Sequence, residues 1–429
     1  MQTNFSLDQL ARPDLKEMEA ILRKCVHCGF CLPACPTYSI LGDERDSPRG
    51  RIYLIKDLIE SEGASVDAVA PHIDKCLSCL ACTTVCPSGV DYRHYVDYAR
   101  KQIEGLYRRP LGDRIFRKLL GRLISSPGLF RPALLWARYL KPFARLTGRR
   151  FAPALGMAPK RVAANQILTG RHVYPAEGVK RQRVALLAGC AQQVLRPSIN
   201  QSTIRVLNRL GCDVVVVNGE GCCGALVHHL GEESASRDRA RALIKAWEQE
   251  QNQEGLDAII VNTSGCGSHV KDFGHLLKDD DEWIAPAMRV ASLTKDVSEI
   301  IDELGLPKRG AAGDGARVAY HAPCTLLHGQ KIDTLPERLL EQAGFVVMPV
   351  KEKHFCCGSA GIYNLVQPEI ADMLKERRQQ TLQDMPVEFV ATGNIGCQRQ
   401  LQSGLETPVV HMIELLDWAL GGSKPPLIK

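Results

Sequence analysis

Two stretches decide how this chain begins: Cys25-Val-His-Cys28-Gly-Phe-Cys31-Leu-Pro-Ala-Cys35-Pro36 and Cys76-Leu-Ser-Cys79-Leu-Ala-Cys82-Thr-Thr-Val-Cys86-Pro87. Both follow the pattern C-x2-C-x2-C-x3-C-P. Three thiolates on one tight loop can grip three irons of an iron–sulfur cube. The fourth cysteine, expected to start the next helix, points the other way and serves a second cube. The spacing therefore assigns Cys25, Cys28, Cys31 and Cys86 to one [4Fe–4S] cluster. It assigns Cys76, Cys79, Cys82 and Cys35 to the other. Crossed ligation holds the two cubes close together, as an electron wire requires. Structural zinc also takes four thiolates, but usually as two separated C-x2-C pairs. Two unbroken four-cysteine runs, each closed by proline, make a poor zinc pattern.

Around these runs the composition is that of a soluble globular protein, with 45% hydrophobic and 24% charged residues over 429 positions. That length can bury two or three cores. The 17 cysteines are too few for a disulfide scaffold, and their odd number argues against complete pairing. The N-terminal residues carry scattered charge and no apolar core of a signal peptide. No run of about 18 apolar residues is present, so nothing is expected to span a membrane. The cytoplasm is the expected compartment, since it keeps thiols reduced.

The formal charge of +6 is unevenly placed. Residues 106–150 hold 12 Lys or Arg against one acid, Asp113. Between them stand Leu111, Ile115, Phe116, Leu119, Leu120, Leu123, Ile124, Leu134, Leu135, Trp136, Leu140 and Phe143. Such a basic amphipathic stretch can lie on an anionic membrane, dock on an acidic partner, or serve as a solvated helical linker. No aromatic platform or reading motif for nucleic acid is present.

From residue 182 a pattern appears twice. Cys190, Cys222-Cys223-Gly224 and Cys266 are followed by Cys324, Cys356-Cys357-Gly358 and Cys397, at offsets of 134, 134 and 131 residues. Agreement across three landmarks marks an internal repeat. Short β-branched runs at 183–188, 212–217 and 256–261 alternate with helical patterns at 197–210 and 235–250. The second copy places strands near 318–320, 345–350 and 388–391. This alternation predicts a parallel sheet covered on both faces, with every cysteine just beyond the carboxyl end of a strand. Loops at that edge converge on one crevice. Cys190, Cys222, Cys223 and Cys266 are therefore expected to meet, as are Cys324, Cys356, Cys357 and Cys397. Metal or cluster binding, thiol redox chemistry and plain structure are the readings of these eight. Gly224 and Gly358 suit a turn that needs positive φ. His321 and His354 lie in the same loops, as local hydrogen-bonding groups or as ligands.

Together these features predict an α+β multidomain protein. A helical, bacterial-ferredoxin-type two-cluster domain spans 1–105, and a basic amphipathic helical linker spans 106–181. Two repeated α/β domains with parallel sheets follow at 182–315 and 316–429. The chain has no G-x-G-x-x-G after a strand (Gly313-Asp-Gly315 lacks the third glycine), and no Walker, HExxH or Gly-x-Ser-x-Gly motif. Oxidising a hydroxy acid takes two electrons, and a flavin is needed to split them for one-electron carriers. An electron-relay subunit is expected, its flavin on another polypeptide.

Ferredoxin-type cysteines joined to tandem Cys-Cys-Gly domains resemble the family of iron–sulfur subunits that serve flavin-linked dehydrogenases, over nearly the whole chain. That family includes the subunits of glycolate oxidase and anaerobic glycerol-3-phosphate dehydrogenase, the lactate-utilisation protein, and heterodisulfide reductase. The match is closer to the glycolate oxidase type. Its carriers are the run 25–31, Ser47-Pro-Arg-Gly-Arg-Ile-Tyr-Leu-Ile55, Thr83-Thr-Val-Cys-Pro-Ser-Gly-Val90, Thr263-Ser-Gly-Cys-Gly267, Cys356-Cys-Gly-Ser-Ala-Gly361 and Asn394-Ile-Gly-Cys-Gln398. The resemblance implies an electron-transfer subunit, inactive alone, of a complex oxidising glycolate to glyoxylate. Flavoprotein partners would carry FAD, and electrons would leave to a quinone or other membrane acceptor. It also implies peripheral attachment to the cytoplasmic face of the inner membrane. Lactate, glycerol 3-phosphate and disulfide substrates are the alternatives. Family members often close each Cys-Cys-Gly domain with C-x2-C, whereas here Cys266 is followed by Gly-Ser-His269 and Cys397 by Gln-Arg-Gln400. That leaves a further cluster, zinc or a thiol site open in both copies.

Overall fold

Proline and serine punctuate the first 107 residues into short helices that pack on one another. In this computed structural model the first domain is all helical.

 The described residues are 1–142, 155–156, 162, 166–307, 313 and 315–427. Phe143 and Asp314, named above, lie outside them.

Helix Pro48–Glu60 shows how the local sequence works: Ser47 accepts from the Gly50 amide at 2.9 Å, and Pro48 opens the first turn. The helix buries Ile52, Ile55, Leu58 and Ile59 against Leu15, Met18, Val69, Ile73, Tyr95 and Val96. The two cysteine runs emerge from matching helix ends. The Cys25 amide donates to the Leu22 carbonyl and the Cys76 amide to that of Ile73, both at 3.0 Å.

Among the described residues, nine strands build the rest. β1 (His172–Tyr174), β2 (Gln182–Leu186), β3 (Cys212–Val216), β4 (Ala258–Val261) and β5 (Thr294–Asp296) form one sheet in the order β1-β3-β2-β4-β5. β6 (Arg317–His321), β7 (Val346–Met348), β8 (Phe389–Thr392) and β9 (Val409–His411) form the second, in the order β7-β6-β8-β9. All pairings are parallel except β1 with β3. The expected strands and helices are present, and β5 and β9 extend the two sheets. β1 lies upstream of residue 182, so the first sheet begins inside the stretch read as linker. Its three residues are too short a run to stand out by pattern.

The repeats share a core. Helix Ser198–Arg209 packs on helix Met412–Ala419, and Arg205 and Arg209 converge on the fully buried Asp417, at 3.0 and 3.1 Å. The helical domain lies across both repeats: Tyr363 donates to the Lys75 carbonyl at 2.9 Å, and Thr84 bonds His328 at 2.8 Å. His94 sits between Asp91 at 2.7 Å and Asp272 at 3.1 Å, stacked on His275. Burial opposes charge on His94, but the hydrogen bonds and charges of Asp272 and Asp91 outweigh it and push its pKa up to about 9. A raised pKa stabilises the folded form fully below the ordinary value of 6.5, and that contribution is lost as pH rises through about 9. Hydrogen exchange at helix Tyr92–Leu106 should therefore show looser docking above pH about 9, and His94→Gln should remove that pH dependence.

Helices Leu111–Ile124 and Pro127–Leu140 cover the first repeat. Phe116 and Leu120 pack on Leu230 and Ile362. Arg117 is buried, bonded to Asp113 at 3.0 Å and Asp74 at 3.1 Å, so it is not one of the outward-facing charges. Leu111, Ile115, Leu119, Trp136 and Tyr139 are exposed. No helix among the described residues is long and apolar enough to cross a membrane.

Candidate metal centres

The two cysteine loops share one backbone path. His27 and Gly29 have φ of 57° and 84°, and Ser78 and Leu80 have φ of 50° and 62°. These are the second and fourth residues after the leading cysteine in each run. Left-handed residues curl the loop around its own centre, and a leucine there is held against its preference. Cys25, Cys28, Cys31 and Cys86 line one cavity with Pro48, Ile52 and Tyr92, and Cys82 reaches its wall. Cys28 is exposed, while Cys31 and Cys86 are half-buried.

Cys35, Cys76, Cys79 and Cys82 are all buried. Cys82 lies within electrostatic reach of Cys79, Cys76, Cys35 and Cys31, so it sits between the two groups. Burial pushes the Cys31 thiol up to about 11 and holds those of Cys79 and Cys82 well above the ordinary thiol range. Thiols so buried give up their protons to a bound metal ion, which deprotonates its ligands outright. The donor chemistry and the cavity therefore fit iron–sulfur clusters. Only one of the two closing cysteines starts a helix as expected: Cys35 precedes helix Pro36–Leu41, whereas Cys86 enters a turn and the next helix begins at Tyr92. Asp91, which caps that helix through the His94 amide, sets the later start.

A polar shell around the second group was not legible from spacing. Arg51, 1% exposed, donates to the His72 carbonyl at 2.8 Å and to Thr37 at 3.1 Å, and reaches Cys35 Sγ at 3.9 Å. Asp46 holds His72 at 2.7 Å and Lys75 at 2.8 Å, and Tyr92 Oη lies 3.8 Å from Cys76 Sγ. The one sequence signal was a charge on the apolar face of helix Pro48–Glu60.

Each repeat brings its four thiols together. In the first, the free thiol of Cys190 lies within interaction reach of Cys222, and that of Cys223 within reach of Cys222 and Cys266. In the second, Cys324 Sγ lies 3.9 Å from Cys356 Sγ, and the free thiol of Cys357 lies within interaction reach of Cys356 and Cys397. Gly224 and Gly358 have φ of 93° and 82°, and a Cβ on Gly358 would stand 2.6 Å from the Ala371 carbonyl oxygen. The residues at the missing cysteine positions bond elsewhere: His269 with Ser236 at 3.0 Å, and Gln400 with Asn364 at 2.9 Å. His321 approaches Cys357 and Cys397, whereas the His354 ring packs edge-on to Phe355. The surroundings differ between copies. Cys79, Cys356 and Cys324 share one apolar cluster, so the second repeat abuts the second ferredoxin-type group. Cys222 of the first repeat instead opens onto a cavity lined by Ser125, Ser126, Gly128 and Arg239.

A ferredoxin-type helical domain joined to paired cysteine-rich α/β repeats defines an iron–sulfur protein. Residues 21–90 match the 4Fe-4S dicluster domain family, and residues 184–271 and 318–402 match the cysteine-rich domain family. The chain is 40% identical to the glycolate oxidase iron-sulfur subunit of Escherichia coli, over 98% of this chain and 99% of that one. It is 31% identical to the probable glycolate oxidase iron-sulfur subunit of Bacillus subtilis, again over 98% and 99%. Lactate utilization protein A of Oceanobacillus iheyensis is 28% identical over 54% of this chain and 96% of its own. The chain belongs to the glycolate oxidase iron–sulfur subunit family. A solved hypothetical protein from Helicobacter pylori shares the fold, with a TM-score of 0.56 at 12% identity, over 97% of this chain and 74% of that one.

Proposed function

We propose that the chain is the electron-transfer subunit of a flavin-linked complex that oxidises glycolate to glyoxylate. The observation that carries the reading is the pair of adjoining four-thiol groups, combined with similarity to the Escherichia coli subunit over 98% of the chain. Cys25, Cys28, Cys31 and Cys86 hold one [4Fe–4S] cluster, and Cys76, Cys79, Cys82 and Cys35 hold the other. Bound there, the clusters supply one-electron relay between a partner's FAD and a quinone or other membrane acceptor. The similarity to the lactate protein reaches only 54% of this chain, which favours glycolate.

Exposed Val26, Phe30, Tyr53 and Val85 lie on and around the cysteine loops, with Val26 and Phe30 on the wall of the first cavity. Apolar residues at the mouth of a redox site suit a permanent partner surface, and the flavoprotein subunit is assigned to it. Phe30→Glu should reduce co-purification of that subunit by roughly 10-fold or more, as loss of a central aromatic contact does. Unchanged recovery would remove this surface from the interface.

Leu111, Ile115 and Leu119 recur at four-residue intervals, flanked by exposed Arg114, Lys118 and Arg122. That face suits peripheral contact with an anionic bilayer on the cytoplasmic side of the inner membrane. Replacing the three apolar residues by serine should abolish sedimentation with phosphatidylglycerol-containing vesicles. Sedimentation equal to wild type would retire the membrane contact.

The test of the whole reading is an anaerobic pull-down of the tagged chain from its native cell, assayed for glycolate-dependent dye reduction and iron. Flavoprotein partners, glycolate activity and about eight irons per chain support it. Dye reduction by the isolated chain, or no activity with glycolate in the assembled complex, overturns it.

A further inference from the structure

Where helix Leu111–Ile124 turns into helix Pro127–Leu140, the pair leaves a cavity against the first repeat. Its volume is about 370 Å³, within the range of about 300–1,000 Å³ usual for small-molecule sites, and it is open to solvent. Ser125, Ser126 and Gly128 line one side, and Cys222, Arg239 and Leu243 the other. Ser126 makes no side-chain cap of helix Pro127–Leu140, which leaves its hydroxyl for a ligand. The charge of half-buried Arg239 acts on Glu232, so its guanidinium offers N–H groups without an uncompensated charge. Such donors suit a neutral carbonyl oxygen better than a free anion. Buried Leu243 adds an apolar wall. A flat ring carrying carbonyl oxygens meets both demands.

The same two helices carry exposed apolar residues. Leu111, Ile115 and Leu119 stand out from the first, and Trp136, Tyr139 and Leu140 from the second. Trp and Tyr beside Arg138 and Lys141 are the residue types that settle at a membrane–water boundary. A ligand dissolved in the bilayer would meet the cavity where these helices turn.

The cavity also adjoins the relay. Helix Ala225–His229 directly follows Cys222-Cys223-Gly224. Gly231, just beyond it, packs so closely on the helical domain that a Cβ there would stand 2.6 Å from the Arg100 carbonyl oxygen. Arg100 in turn donates to the Cys76 carbonyl at 2.7 Å. The two repeats differ in what they face. Cys324 and Cys356 of the second share an apolar cluster with Cys79, whereas Cys222 of the first faces the open cavity.

We infer that this cavity receives the headgroup of a membrane quinone and is where electrons leave the chain. The inference rests on the relay reading above. Glycolate oxidation releases two electrons, which the clusters pass on one at a time. Together with two protons from solvent at the open mouth, they convert both ring carbonyls to hydroxyls, so that quinone becomes hydroquinone. Arg239 and Ser126 donate to the carbonyl oxygens, and Leu243 lies against the ring.

The test uses the purified complex with glycolate as donor, decyl-ubiquinone as acceptor and a redox dye as reference acceptor. A Cβ built on Gly128 has nothing within 4 Å, so a side chain there enters open space without displacing the fold. Gly128→Leu should therefore obstruct the cavity and raise the KM for decyl-ubiquinone. Arg239→Met should raise it about 10-fold, as loss of one charge-assisted hydrogen bond does. In both variants KM should move more than kcat. An unchanged KM in either variant overturns the inference, and Arg239→Met decides if Gly128→Leu does not assemble. Wild type that passes electrons from glycolate to the dye but not to decyl-ubiquinone also overturns it, with the relay reading intact. Wild type that reduces neither acceptor with glycolate marks failure of the relay reading itself and takes this inference with it.

Discussion

Cys79→Ser should abolish glycolate-dependent electron transfer in the assembled complex and remove about half of the cubane iron. Cys79 is buried between its own group and the second repeat, within reach of Cys324, Cys35 and Cys76. Serine offers a hard, weakly acidic oxygen in place of a soft thiolate, and burial keeps bulk solvent from taking over as ligand. Loss of an outer-shell partner alone costs about 10–100-fold in metal affinity or activity, and a lost ligand should exceed that. Cys28→Ser makes the comparison, because Cys28 is exposed and solvent can reach the place it leaves. The milder loss is expected there. Anaerobic iron analysis and electron paramagnetic resonance on both variants check the ranking. Full cubane content in Cys79→Ser would show that the assignment of the second ligand set is wrong.

Arg51→Leu should destabilise the helical domain by about 3–5 kcal/mol, the cost of breaking a buried ionic network on one side. Arg51 ties the His72 carbonyl to Thr37 and lies beside Asp46, and all of these residues are buried. The same change removes a positive charge and an N–H donor from the neighbourhood of Cys35 Sγ. Reduction of a cluster held there becomes harder, so its potential should fall. Arg51→Lys keeps the charge but not the planar fork, so it should recover more of the potential than of the stability. A denaturant titration and a redox titration of the anaerobic protein separate the two effects. An unchanged potential in Arg51→Leu would mean that the guanidinium serves packing alone.

The sequence by itself determined the parts whose geometry is local. Cysteines separated by only two or three residues must share a loop, so the two four-cysteine runs announced their chemistry before any fold was known. The repeat was equally legible, because offsets of 134 residues and strand-then-thiol order survive in the chain as written. Which charged residues serve the sites was decided only by tertiary structure. Arg51 meets Cys35 across 16 residues, and Arg378 meets His321 across 57, with no periodic pattern linking either pair. Amphipathic spacing marked residues 106–150 as basic and apolar, yet Arg117 turned inward to Asp74, 43 residues away. The two Cys-Cys-Gly copies read alike in their cysteines and differ in what packs on them. Burial decides that difference: Arg378 is fully buried near the thiols of the second copy, whereas Arg239 lines an open cavity at Cys222 of the first, so like motifs have unlike electrostatics.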